Sequence, residues 1–204
     1  MIEQVHSFFS HTDSMTVLEV TAVITAIIYV ILAAKEKAIC FFFAFISSSI
    51  YIYICYHYKL YFDTIISIYY VVMAVVGWFM WKKKESGTDT GINSAGKRKM
   101  IMLCIIGVIS VVITGAFAAC YTDASLPFVD SFTTVFAIIA TVMVVRKEIE
   151  NWILLAVVDA VSIGMYFYKG LFFTSLLYLL YTIIAINGYI IWKRKMKIQN
   201  ISST

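Results

Sequence analysis

The sequence predicts an all-α polytopic membrane protein of seven transmembrane helices, arranged as two three-helix units around a single linker helix. Three observations carry this. The 204 residues are 62% hydrophobic and 14% charged, with a single proline, more apolar matter than a soluble domain of this size can bury. Seven apolar runs have the length of about 20 residues that a helix needs to cross the hydrocarbon core. Fourteen of the sixteen Lys and Arg residues fall in alternate connections between those runs. A β-barrel is excluded, because the runs are continuous instead of alternating over about 10 residues.

In chain order, residues 1–16 carry Glu3, His6, His11 and Asp13, and lack the basic start and cleavage site of a removable signal peptide. The expected spans are 17–34, 38–57, 60–81, 100–121, 130–146, 151–168 and 171–192. The first span ends at Lys35 and Lys37, the third at Lys82, Lys83 and Lys84, with Lys97, Arg98 and Lys99 before the fourth. Arg146 and Lys147 separate the fifth and sixth spans, and Lys193, Arg194, Lys195 and Lys197 follow the seventh. The opposite side has only Lys59 and Lys169, with Asp123 and Asp130 in its longest loop. Basic residues favour the cytoplasm, so the N-terminus is expected outside and the C-terminus inside. Cys40, Cys55, Cys104 and Cys120 lack metal-ligand spacing and read as small buried hydrophobes, so neither metal nor cofactor is expected.

The stretch GWFMWKKK (77–84) returns as GYIIWKRK (188–195). Helical steps back from Trp81 meet Gly77, Ala74, Tyr70, Ser67 and Asp63. Steps back from Trp192 meet Gly188, Ala185, Tyr181, Tyr178 and Thr174, each 111 positions later. Steps of three and four stay on one helix face, so both spans carry a small, aromatic or polar stripe opposite Ile, Val and Leu. SSSIYIYICYHYKL (47–60) aligns with VVDAVSIGMYFYKG (157–170) at an offset of 110, and AAKEK (33–37) resembles VRKEI (145–149). The chain thus reads as one transmembrane domain with repeat one at 17–81, a linker helix at 100–121 and repeat two at 130–192. The repeats enter the membrane in the same direction, an arrangement transporters use with the substrate between the halves.

Asp159 lies at the middle of the sixth span, where an unpaired carboxylate costs a few kcal/mol, and that makes it the first functional candidate. Glu19 and Asp63 lie near the outer ends of their spans, within reach of water. Trp81 and Trp192 fit an interfacial aromatic belt, whereas Trp78 and Asn187 sit deeper. A set of Trp78, Tyr70, Tyr181, Asn187 and Asp159 suits a ligand with a planar, cationic ring and a hydroxylated tail. Other classes lack their residues. The last span has no Schiff-base lysine, the three histidines His6, His11 and His57 form no HExxH pair, and Asp159 has no aspartyl-protease context. No channel filter is visible, and the longest soluble segment, 82–99, is too short for the signalling domain of a sensor.

Several of these stretches together resemble the PnuC family of bacterial vitamin transporters. They are the Asp-x-x-x-Thr at Asp130, the Arg-Lys and Glu-Asn-Trp around 146–152, the Val-Asp at Asp159, the Tyr-Lys-Gly-Leu at 168–171, and the closing Gly-x-x-x-Trp. Glu19 and YYVVMAVVGWFMW (69–81) match as well, whereas Phe41 and Leu155 stand where relatives often carry Trp. The resemblance implies a SWEET-like layout and facilitated uptake of a vitamin, commonly nicotinamide riboside, that a cytoplasmic kinase then traps. Close relatives handle thiamine and others riboflavin. It associates a Trp-x-x-Trp motif with substrate, matched by Trp78 and Trp81, so Trp78→Ala is expected to weaken binding more than Trp81→Ala. Trp81 and Trp192 would close the cytoplasmic side, with Asn187 a further ligand contact. Proton coupling through Glu19 or Asp159 stays open at this stage, as does assembly into homo-oligomers.

Overall fold

A computed structural model describes residues 14–85, 91–122 and 125–202. The described residues form seven helices: α1 (Ser14–Ala34), α2 (Cys40–His57), α3 (Tyr61–Glu85), α4 (Lys97–Tyr121), α5 (Pro127–Val145), α6 (Asn151–Tyr168) and α7 (Phe172–Ser202). Each contains a stretch long and apolar enough to span a membrane. The N-terminal residues read against a signal peptide, and Asp123, lie outside the described residues. The helices overrun the hydropathy at one end: α3 reaches Glu85 and α7 continues ten residues past Trp192. Hydropathy marks where lipid stops, not where the backbone unwinds. The tail of Lys, Arg, Met and Gln contains good helix formers and neither Gly nor Pro.

Four of the inter-helix turns share one construction. Glu36, Lys59, Lys147 and Gly170 adopt φ of 61°, 58°, 57° and 75°, each just past a helix end. At Glu36 two bonds close the turn, Glu36 N–H to the Ala33 carbonyl (2.9 Å) and Lys37 N–H to the Leu32 carbonyl (3.0 Å). The same pair recurs after each of the other three, which makes all four Schellman caps. Only Gly170 adopts this backbone without strain; a side chain there costs about 1–2 kcal/mol. The four positions pair as Glu36 with Lys147 and Lys59 with Gly170, both at a spacing of 111. This corrects the offset of 110 read for 47–60 against 157–170, and the one-residue slip in matching 33–37 to 145–149. Side-chain resemblance aligned the tyrosines, whereas the turns set the true register.

Packing follows the same spacing. α1 lies against α2 and α7, α2 against α3, and α3 against α5; α5 packs on α6 and α6 on α7, while α4 lies along α5. The contacts between the two three-helix groups are thus α1 with α7 and α3 with α5. The tightest buried cluster sits at the end bearing the basic residues, built from Ala33, Cys40, Phe41, Trp81, Val144, Trp152, Ala185 and Trp192. The segment before α4 seals this end further. Asn93 exchanges backbone bonds with the α5–α6 turn, donating to Lys147 at 3.0 Å and accepting from Ile149 at 2.9 Å. Glu150 receives the Ser94 hydroxyl and the Ala95 N–H, and Lys99 pairs with Glu148.

Candidate functional site

A cavity of about 280 Å³ lies between the two groups of helices. Its wall takes Tyr29 from α1, Ser47, Ser48 and Tyr51 from α2, Tyr70 and Met73 from α3, Ala137 and Thr141 from α5, and Leu155 from α6. Three pairs of lining positions stand 111 apart: Ala26 with Ala137, Val30 with Thr141, and Ala44 with Leu155. Both halves therefore present the same three levels to one space. The lining holds three tyrosines, two serines and a threonine, and no charged side chain. Such a wall offers tyrosine faces for a flat or cationic ring and hydroxyls for a polar tail, with no cation to meet an anion.

Beneath the cavity, the basic end is closed by aromatic rings. Trp81 and Trp192 lie 6.1 Å apart between centroids; Phe41 meets Trp81 edge-on at 4.9 Å and Trp152 meets Trp192 edge-on at 5.5 Å. Each indole also reaches across to the other group. Trp81 Nε1 donates to the Val145 carbonyl at 3.0 Å, at the end of α5, and Trp192 Nε1 donates to the Ala33 carbonyl at 3.3 Å, near the end of α1. The Gly-x-x-x-Trp spacing now has a cause. A β-carbon on Gly77 would fall 2.2 Å from the Phe41 ring and one on Gly188 2.7 Å from the Trp152 ring. Gly77→Ala and Gly188→Ala should each lower stability by about 1–3 kcal/mol, as overpacking does, measured as an earlier unfolding midpoint in detergent.

Charges close the same end. Lys147 Nζ pairs with Glu36 Oε1 at 2.7 Å and lies 5.2 Å from the Trp81 ring centroid, while Lys195 Nζ meets Glu36 Oε2 at 3.1 Å. Glu36 and Lys147 occupy positions 111 apart, so the pair stands where the two groups of helices face one another. Burial pushes the Glu36 carboxyl up, but hydrogen bonds and charge from Lys147 and Lys195 outweigh it and hold it below its ordinary value.

The residues expected to bind a ligand part company here. Tyr70 lines the cavity. Asp159 is 8% exposed and makes no hydrogen bond or ion pair to a described residue; it lies one turn outward of Leu155, with Tyr181 in its electrostatic range. Trp81 and Trp192 are 2% and 0% exposed and form the floor. Trp78 does not line the cavity: it lines an adjoining apolar crevice with Phe42, Phe45, Val75 and Phe79 on the outer side of α2 and α3, Phe41 and Ala74 being shared by the two, and Lys82 sits 5.3 Å from its ring centroid. Asn187 faces away as well, exposed beside Ile183 and Ile186, its amide donating to the Ile183 carbonyl at 2.9 Å. It lies six residues past Tyr181, about 240° round the helix at 100° per residue, and so leaves the Tyr181–Ala185–Gly188 face. Sequence reasoning passed over Tyr29, Ser47, Ser48, Tyr51 and Thr141, and it gave the tyrosines of 51–61 no role. The signal was available in part, because Tyr29 lies on one helix face with Ala22, Ala26 and Ala33.

The family profile described as "Nicotinamide mononucleotide transporter" matches residues 16–194. Nicotinamide riboside transporter PnuC of Escherichia coli (strain K12) is 24% identical over 201 residues, covering 86% of this chain and 84% of that protein. The protein of the same name from Neisseria mucosa is 29% identical over 188 residues, covering 86% and 72%. A solved structure, "Crystal structure of the Vitamin B3 transporter PnuC", superposes with a TM-score of 0.70 at 25% identity, over 95% of this chain and 87% of that one. Its function is therefore transport and not catalysis, and with seven apolar helices it is a multi-pass inner-membrane protein. This chain belongs to the nicotinamide mononucleotide transporter family.

Proposed function

We propose that the protein takes up nicotinamide riboside by alternating access, with the cavity between the two groups of helices as the transport site. The observation that carries this is the cavity wall itself. It has tyrosines for a planar ring, hydroxyls for a ribose, and no lysine, arginine or histidine. A mononucleotide would bring a phosphate with no cation to meet it, and burying an unpaired charge is costly. The unphosphorylated riboside named in the relatives suits the wall better than the nucleotide named in the family's description. The volume of about 280 Å³ lies near the lower end of ligand pockets, about 300 Å³, and favours one ring with one sugar over a tricyclic flavin.

In this reading the chain holds two parallel repeats, 17–81 and 130–192, joined by the linker helix 100–121. The basic end faces the cytoplasm, the C-terminus with it and the N-terminus outside. Tyr29, Tyr51 and Tyr70 hold the ring, and Ser47, Ser48 and Thr141 meet the sugar hydroxyls. Trp81 and Trp192, with Glu36 and Lys147, close the cytoplasmic side, while Asp159 and Tyr181 border the cavity from outside. Trp78 and Asn187 contribute to packing and lipid contact in the conformation described. Transport runs downhill, and phosphorylation by a cytoplasmic kinase removes the product; the kinase acts on the released vitamin and needs no contact with the carrier. Native mass spectrometry in detergent reads the number of copies in a homo-oligomer.

Binding titrations of the purified protein with nicotinamide riboside, nicotinamide mononucleotide, thiamine and riboflavin test the substrate, with the riboside expected tightest. Equal or tighter binding of the nucleotide would overturn the argument from the cavity wall. Uptake into liposomes should run to equilibrium without a pH gradient, and accumulation driven by one would replace facilitated diffusion with proton coupling. Ala44→Trp places an indole at one of the paired cavity levels, and riboside uptake should fall at least about tenfold, the effect of roughly 1.4 kcal/mol. An unchanged uptake rate would place the route elsewhere.

A further inference from the structure

On the outer side of the cavity, α1, α2, α6 and α7 bring together aromatic rings and two carboxylates that no contact among the described residues explains. Glu19 stands on the cavity-facing side of α1, in the helical series Glu19, Ala22, Ala26, Tyr29, roughly 10 Å outward of the cavity-lining Ala26. It is exposed and forms no ion pair with a described residue. Its position differs from that of Asp130 by 111, and there the two halves diverge. Asp130 is neutralised by Lys169, which contacts both carboxylate oxygens at 2.7 and 3.0 Å. Lys169 caps the end of α6, and Tyr58 caps the end of α2 at the matching position, so the lysine of unit one falls one residue later, at Lys59, which forms no ion pair with a described carboxylate.

Deeper in, Asp159 is more than nine-tenths buried and without a partner among the described residues. A carboxylate in such a place is costly unless it takes up a proton or something with positive charge joins it. Its neighbours are rings. Tyr166 and Tyr178 stack at 5.1 Å, and Tyr178 meets Tyr181 edge-on at 5.9 Å. Tyr178 and Tyr181 both lie within electrostatic range of Asp159. Tyr51, which lines the cavity, lies within the same range of Glu19 on one side and of Tyr166 and Tyr181 on the other. The local cation, Lys169, is held by Asp130 and already sits 5.9 Å from the Tyr166 ring centroid. Rings combined with carboxylates are the chemistry that recognises organic cations.

We propose that Glu19, Tyr51, Asp159, Tyr178 and Tyr181 form an outer subsite for an organic cation with a flat ring, which it loads before the ligand enters the cavity. This deepens the transport reading above and rests on it. The duplication builds two acidic positions at the outer end, and Lys169 silences the one on α5. Entry is thereby biased to the α1 side, beside the buried Asp159. The neutral cavity wall then receives a ligand whose charge has been selected one step earlier.

The test uses the full-length protein in detergent and a pair of probes differing in charge and one methyl group, 1-methylnicotinamide (cationic) and nicotinamide (neutral). Wild type should bind the cation at least tenfold more tightly. Asp159→Asn and Glu19→Gln should each weaken the cation about tenfold and leave the neutral probe within twofold. No cation preference in the wild type, or equal losses for both probes, would overturn the subsite. Glu19 is exposed and Glu19→Gln nearly isosteric, so that variant serves even where Asp159→Asn disturbs folding. The two readings separate, because wild-type liposomes that fail to take up nicotinamide riboside sink the transport reading whatever the probe pair shows. An intact cation preference alongside riboside uptake supports both.

Discussion

Glu36→Ala should destabilise the protein by about 3–5 kcal/mol, the range for removing one partner of a buried ion pair. The side chains of Lys147 and Glu36 are 6% and 13% exposed, and Lys147 also lies against Trp81, so its ammonium is held in a buried setting. Lys195 is different, at 43% side-chain exposure, and can turn outward once Glu36 is gone. The double variant Glu36→Met/Lys147→Met should therefore recover most of the loss, since replacing both partners with apolar groups is often neutral. Chemical unfolding in mixed micelles measures the cycle, and a double variant as unstable as Glu36→Ala would show that the pair is not what holds this end.

The same carboxylate sets an acid limit. Its value in the folded protein lies below the ordinary 4.5 because Lys147 and Lys195 outweigh the effect of burial. A group with a lowered folded value contributes stability that is complete above its unfolded value and lost as pH falls through the folded one. Wild type should thus lose stability as pH drops below about 4.5, and the double variant should lose less over that window. If the basic end is the cytoplasmic gate, the pair must also part during every cycle, since its members stand at equivalent positions of the two halves.

Trp81→Ala should cost about 3–5 kcal/mol, the range for emptying a buried aromatic site, and Trp78→Ala clearly less. Trp81 is 2% exposed, touches Phe41 and Trp192, and donates to the Val145 carbonyl. Trp78 is partly exposed in an outward crevice. This is a ranking of stability, whereas the Trp-x-x-Trp resemblance ranks the same two variants for substrate binding, with Trp78→Ala the more damaging. Unfolding midpoints of the two variants check it, and a larger loss for Trp78→Ala would show that the outward crevice carries more of the packing than the floor. Trp192→Phe should fall between them, because it keeps most of the ring and loses the bond to Ala33.

Much of the architecture was legible in the residues. Continuous apolar runs have one solution in lipid, since every backbone polar group must be satisfied within the segment. Seven runs therefore became seven helices, and the doubled Gly-x-x-x-Trp marked the closure between the halves, because a glycine admits a ring where any β-carbon would strike it. Asp159 stood out because a carboxylate in a span is expensive wherever it points. What hydropathy left undecided was rotation. Trp78 and Trp81 are three residues apart, yet Trp81 is inside the core while Trp78 packs on its edge and opens to an outward crevice. Asn187 looked like a ligand group until its helix turned it outward to bond its own backbone.

The sequence by itself determined how many times the chain crosses the membrane and where its spacings recur, because length, apolarity and repeated spacing are local properties. Only the tertiary structure decided which faces meet. Neighbouring helices set the rotation of each span, and a step of one residue swings a side chain by about 100°. That swing separates a wall of the cavity from a surface left to lipid.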